Sequence, residues 1–530
     1  MNRFTGAGTL VRLVLRRDRV RLPVWLLSLL GLMGSSVVAV QSLYDTPAER
    51  LAYARTSGSS GAGIALSGPP VALDTSGGIT VFEVSQVSVV GISLMAIFLT
   101  LRHTRADEEA GRTELLRAGV LGRNADLLAI GLVMSGVSAV AGGGVSATMA
   151  AVGLPLQGAL LYGAAMTVLG LLFTAVALAA AQVTEHNRGA VGLCLTTLGL
   201  LYGLRAVGDV NDSFVTWLSP IGWVQGVHAF AENRWWPLAL ALGLVVCVTA
   251  LAGWLTTRRD IGGGLVASRP GPPTASPYLA GPVSLAARLQ RGALIGWVVG
   301  IAALGAVYGS FGHDVQDMVE ENPDLKKYFE QVGGTISITD AYFAIVLLFT
   351  ALVATGFTVS SVARLRTEEG ELRTEQLLAT PVSRWRWSLS WLAVTVAGTV
   401  VVLAAGGAAA GTTWAVLSSD PGQVLTLTVA QLTYVPATLV LGGIAFALLG
   451  WLPRATGLAW AGVAACFVVG WLGDLLSLPE WLGDLSPYEH TPLVPSVELE
   501  ASPLLVIGLV AATLVASGAV GFRRRDLISG

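Results

Sequence analysis

The sequence predicts an all-α integral membrane protein of about twelve transmembrane helices, arranged as two parallel six-helix pseudo-repeats with both termini cytoplasmic. Three observations predict it: an apolar excess, a series of apolar windows long enough to span a bilayer, and a duplicated charged segment. Of 530 residues, 53% are apolar and only 12% are charged. Soluble domains carry about twice that charge, so the excess apolar surface needs lipid.

Windows of roughly 20 apolar residues lie near 22–44, 81–101, 126–151, 156–181, 188–208 and 237–257 in the first half. A Pro- and Gly-rich linker, 261–285, separates them from windows near 293–312, 341–363, 387–412, 424–450, 455–475 and 503–521. The first window follows Arg12, Arg16, Arg17, Arg19 and Arg21 and has no cleavage signal. It is too long for a signal sequence and reads as an anchored span, preceded by an interfacial helix within 1–21. The halves are therefore 22–260 and 286–530.

Arginines set the sidedness. Arg102, Arg105, Arg112, Arg117 and Arg123 follow the second span, and Arg188, Arg258, Arg259, Arg364, Arg366, Arg384, Arg386, Arg454 and Arg523 to Arg525 fall at alternate loops. These loops belong inside. The acidic stretch from Asp314 to Glu330 and the Pro- and Glu-rich stretch from Pro479 to Pro503 then lie outside, and Trp235, Trp236 and Trp481 occupy interfacial positions.

An offset of 261 residues superposes Arg105 on Arg366, Glu108 on Glu369, Arg112 on Arg373, Thr113 on Thr374, Glu114 on Glu375, Leu116 on Leu377, Ala118 on Ala379 and Arg123 on Arg384. That is eight identities in nineteen positions without a gap, where chance gives about one or two. Leu218, Ser219 and Pro220 pair with Leu485, Ser486 and Pro487, and Arg259 and Asp260 with Arg525 and Asp526. An even number of spans per half relates the halves by an axis along the membrane normal. Segments near 104–118 and 366–379 are expected as short cytoplasmic helices, held by i,i+4 pairs Arg105 to Glu109, Glu108 to Arg112 and Glu369 to Arg373. Topology accounts for their arginines. Their recurring acids point to docking.

The strings EEAGRTELLRAGVLGR (108–123) and EEGELRTEQLLATPVSR (368–384), each after a second span, resemble the inner coupling loop of ABC-type exporter permeases. With WLSPIGWVQGVHAF (217–230), RWWPLAL (234–240) and RRDIGGGLVASRPGPP (258–273), the chain is most similar to the actinobacterial polyketide antibiotic or tetronasin-type multidrug efflux class. The resemblance implies an ATP-driven exporter of hydrophobic compounds, in which each coupling loop seats in an ATPase subunit. Arg105, Glu108, Glu109, Gly111, Arg112, Glu114, Leu116 and Arg123 would serve one copy. Arg366, Glu368, Glu369, Arg373, Glu375, Leu377 and Arg384 would serve the other. ATP and Mg would sit on those partner subunits and no cofactor on this chain. The other partners expected are the bilayer of the bacterial inner membrane and a hydrophobic small molecule, with no nucleic acid. Gly370 and Leu372 replace Glu109 and Gly111 in the second copy, and 119–122 lacks the Pro-Val-Ser of 381–383, so the two docking sites are expected to be unequal.

A phosphate-cradling G-x-x-x-x-G-K-[ST] needs a lysine after glycine, and both lysines, Lys326 and Lys327, follow Leu325. H-E-x-x-H, zinc-spaced cysteines and G-x-S-x-G are likewise missing, so the chain is not expected to be an enzyme. Cys194, Cys247 and Cys466 stand far apart within apolar stretches and read as packing residues. Glu83, Gln86, Gln182, Glu185, His186, Arg205 and Asp209 lie near span ends and read as interfacially solvated; Gln431 lies deeper. The acids from Asp314 to Asp324 read as a solvated outer helix rather than a metal site. Gly142 to Gly144, Gly406, Gly407 and Gly411 suit close helix packing. Two alternatives remain open: an ion- or proton-coupled drug carrier working alone, and a membrane enzyme on lipid-linked sugars, for which Asp314 and Asp474 would be tested first.

Overall fold

In hydrocarbon every backbone polar group must be satisfied within its own segment, and a helix does so locally. The computed structural model describes residues 4–117, 119, 121–260, 262–266, 273–274, 276–279, 281–320, 338–371, 373–472 and 479–525. Among these, twelve helices are long and apolar enough to cross a membrane, and each coincides with one expected window. The chain is a multi-pass membrane protein. It divides into two compact units, residues 1–271 and 272–530, within the expected linker.

The first unit opens with α1 (Ala7–Arg17), whose Ala7, Leu10 and Val14 are buried. Its spans are α2 (Arg21–Leu43), α5 (Ser76–His103), α8 (Ala125–Ala151), α9 (Leu156–Val183), α10 (Asn187–Val210) and α12 (Trp236–Leu255). Between them stand α3 (Pro47–Ser57), α4 (Gly61–Ser67), α6 (Arg105–Glu109), α7 (Arg112–Arg117) and α11 (Pro220–Gln225). Cap chemistry sets several starts. Thr46 and Glu49 form a capping box for α3, and Thr75 accepts the Gly78 N–H to begin α5. α5 and α9 form the middle of the apolar core. α8 crosses α9 where a Cβ on Gly142 would sit 2.1 Å from the Gly163 carbonyl oxygen, so only glycine permits that approach.

Arg205 corrects one expectation. It is fully buried rather than solvated. Its guanidinium donates to the carbonyls of Ile64 at 3.1 Å and Leu66 at 3.2 Å, with Asp209 at 3.5 Å. Gln225 donates to the Ser67 carbonyl at 2.8 Å. The last carbonyls of a helix lack intrahelical partners, and here side chains from elsewhere in the unit satisfy those of α4. The result is a tied outer cap, at whose edge Trp217 stacks on Trp236 at 5.3 Å.

The second unit comprises α13 (Pro282–Glu320), α14 (Ile338–Gly370), α15 (Arg373–Leu378), α16 (Arg384–Ser418), α17 (Gly422–Leu432), α18 (Val435–Trp451), α19 (Ala459–Leu472), the short α20 (Glu480–Gly483) and α21 (Ala501–Arg524). The window expected at 424–450 is divided at Thr433 and Tyr434, because Pro436 at the start of α18 has no N–H to donate. α14 is the most buried span of this unit. α13 meets α16 where a Cβ on Gly305 would lie 2.3 Å from the Gly406 carbonyl oxygen. Gln431 is fully buried and donates to the Leu347 carbonyl at 3.2 Å. Lys326, Lys327 and Asp474 lie outside the described residues, as do Glu321, Asp324 and Glu330 and the side chains of Asp314, Asp317 and Glu320.

Candidate functional site

The charged segment of the first unit is two helices rather than one. α5 ends at Thr104, whose backbone is non-helical (φ −108°, ψ −91°), and α6 ends at Ala110 before Gly111 takes a φ of +69°. A left-handed backbone at that position favours glycine. The helices are fastened by ion pairs from distant parts of the chain, not by the expected i,i+4 pairs. Glu108 accepts from the Arg259 guanidinium at 2.5 and 2.8 Å, from the Gly262 N–H at 2.7 Å and from Arg105 at 3.0 Å. Arg105, only 1% exposed, also donates to the carbonyls of Glu185, Gly262 and Gly263. Local spacing cannot reveal these partners, because Arg259 stands at the far end of α12.

Asp107 makes a second fastening. It accepts from Arg112 at 2.8 Å and from both guanidinium nitrogens of Arg17, which hydrogen bonding to this carboxylate holds above its ordinary pKa. Asp18, buried at the end of α1, accepts from Arg102 at 3.1 Å and lies 2.5 Å from His103 Nε2. Arg123 donates to the Thr256 carbonyl at 3.1 Å. A cavity of about 70 Å³ lies between α1, α7, α8 and the end of α12, lined by Leu10, Val14, Leu116, Ile130 and Arg259 among others.

The second unit repeats three of these contacts. Glu369, 3% exposed, accepts from Arg525 at 2.6 and 2.7 Å, as Glu108 does from Arg259. Glu368, the position equivalent to Asp107, accepts from Arg373 at 3.2 Å and lies 3.7 Å from Arg364. Arg384, equivalent to Arg123, donates to the Arg525 carbonyl at 2.8 Å. In both units, then, a buried carboxylate at or just past the inner end of the second span grips an arginine just past the sixth. The arginine-rich side of each unit is the inner one.

Comparisons with known proteins supply the family. Residues 279–523 match the model of a family described as "Multidrug efflux system permease Rv1217c, C-terminal domain". Across 526 residues the chain is 37% identical to the "Multidrug efflux system permease protein Rv1217c" of Mycobacterium tuberculosis, covering 99% of this chain and 96% of that protein. The chain belongs to the multidrug efflux permease family. It is accordingly a permease rather than a catalytic enzyme, seated in the inner membrane as a multi-pass protein.

Within this permease the residues expected to dock a partner fall into two groups. Arg105, Glu108, Glu368 and Glu369 turn their side chains inward to the contacts above, and Arg123 and Arg384 make theirs from exposed and half-buried positions. Glu109, Arg112, Glu114, Leu116, Arg373 and Glu375 are exposed, Gly111 forms the turn, and Leu377 packs partly against the core of its unit. Glu109 also accepts the Asn187 N–H at 3.0 Å, capping α10. Nη1 of Arg366 is buried without a hydrogen-bond partner among the described residues. Leu115, 79% exposed, tops the ridge of α7. Gln182, expected to be solvated, is buried and accepts from Arg259 at 2.7 Å; Arg17, Asp18, His103 and Asp107 are further residues of this site that sequence spacing does not single out. The paired Arg259 and Arg525 were visible as a repeat, but their carboxylate partners were not.

Proposed function

We propose that this chain is the membrane permease of a drug-efflux system driven by separate ATPase subunits, which dock on the exposed ridges of α6–α7 and of α15. The duplicated grip carries the reading: Glu108 on Arg259 fastens α6, and Glu369 on Arg525 fastens the end of α14 just before α15, to the end of the last span of its own unit. A push on the ridge then moves a span rather than bending a loop. Glu114, Leu115 and Arg112 in one unit, and Glu371, Arg373 and Glu375 in the other, offer mixed charge to a partner. ATP and Mg would be held by that partner, two copies of which suit two ridges. The substrate class that fits is a hydrophobic drug, and antibiotics of the polyketide or tetronasin type are the narrower proposal. Substrate would meet apolar walls with few polar anchors.

The test is transport in proteoliposomes. Export of a lipophilic dye should require both the ATPase subunit and MgATP. Export by the permease alone, driven by a proton gradient, would favour the self-sufficient carrier and defeat the proposal.

A further inference from the structure

One feature of the first unit is not used by docking. α1 buries Ala7, Leu10 and Val14 against the start of α8, at Ala125 and Ala129, so it lies level with the ends of the spans. Its other face carries Arg12 and Arg16, one helical turn apart, followed by Arg19, and all three are exposed. None of the three makes an ion pair or side-chain hydrogen bond among the described residues, and residues 4–17 contain no acid. Leu15 and Val20, 46% and 66% exposed, stand among these arginines. Guanidinium groups beside apolar side chains at headgroup depth match one partner by charge and polarity, the phosphate of an anionic lipid. Arg17, by contrast, turns inward to Asp107, and Asp18 to Arg102 and His103. The same short helix therefore faces the membrane surface and grips α6.

We propose that α1 is an anionic-lipid sensor: lipid phosphates bound by Arg12, Arg16 and Arg19 hold the helix on the inner surface, and Arg17 passes its position to α6 through Asp107, while Asp18 ties it to the end of α5. Topology alone would place arginines near the first span. It would not require the inward pairs Arg17 to Asp107 and Asp18 to Arg102. The proposal does not depend on the ATPase reading.

Amide hydrogen exchange of the full chain in nanodiscs tests it. An arginine near an anionic surface contributes about fivefold in binding. In phosphatidylglycerol, protection of 7–17 should exceed that in phosphatidylcholine by on the order of a hundredfold, and should fall at high salt. The variant Arg12→Gln, Arg16→Gln, Arg19→Gln should lose the difference, and the corresponding lysine variant should keep most of it. Arg17→Gln should keep lipid-dependent protection of 7–17 while abolishing that of 105–117. Equal protection in both lipids, or the same gain from soluble glycerol phosphate in phosphatidylcholine, would overturn the proposal. So would protection that appears only when a partner protein is added.

Discussion

The two charged segments descend from one duplicated sequence, yet the first has a break at Thr104 that the second lacks. In the first unit α5 breaks at Thr104 and α6 at Gly111, so the ridge is a chain of short helices braced from outside by α1 through Arg17 and Asp18. In the second, α14 continues as one helix to Gly370, and Arg364, one turn before Glu368 and equivalent to His103, lies 3.7 Å from it on the same helix. Both versions keep the grip on the last span. The conserved element of the design is therefore the fastening between ridge and span, while the continuity of the helix leading into the ridge is free to differ. This gives physical content to the inequality expected from Gly370 and Leu372.

The largest effect expected is on the grip itself. Breaking a buried ion pair by removing one partner costs about 3–5 kcal/mol, because the other charge stays buried. Glu108→Ala strips both Arg259 and Arg105, whereas Glu369→Ala strips Arg525 alone. Thermal unfolding in detergent should rank Glu108→Ala as the more damaging, and equal losses would mean that Arg105 adds nothing. The brace should matter less. Arg17→Ala leaves Asp107 with Arg112 and costs about 1.5–3 kcal/mol for a charged hydrogen bond; the effect should be confined to the melting of the first unit.

Smaller changes sharpen the contrast, since they are expected to have opposite signs. Gly111 at φ +69° meets no neighbour, so Gly111→Ala costs roughly 1–2 kcal/mol from backbone strain alone. Gly370 is the last residue of a continuous helix and also meets no neighbour, so Gly370→Ala should stabilise by roughly 0.5–1 kcal/mol. Two shifts of the same sign in a melting experiment would show that the backbones at Gly111 and Gly370 do not differ in this way.

The spans were legible because bilayer thickness imposes a length that hydropathy reports directly, and all twelve windows hold a helix. The duplication was legible because its identities lie in one ungapped run. The contacts of the site were not. Helical spacing paired Glu108 with Arg112 and Glu369 with Arg373, but these acids reach Arg259 and Arg525, more than 150 residues away. Helical spacing reports only neighbours on one helix, whereas the folded unit brings each carboxylate against an arginine from the far end of the same unit. Arg205 was misread for a related reason. Its position near a span end implied water, while α4 supplied carbonyls that only the folded unit brings there.

The most direct test uses changes that should not disturb the fold at all. Glu114→Arg with Leu115→Asp on one ridge and Glu375→Arg on the other alter exposed side chains only, and surface substitutions of this kind shift stability by no more than about 0.5 kcal/mol. Permease-stimulated ATP hydrolysis, measured in the purified complex with its ATPase, should fall to the rate of the ATPase alone while the melting temperature of the permease stays unchanged. Undiminished stimulation in a variant that melts normally would show that the ridges are not where the motor takes hold.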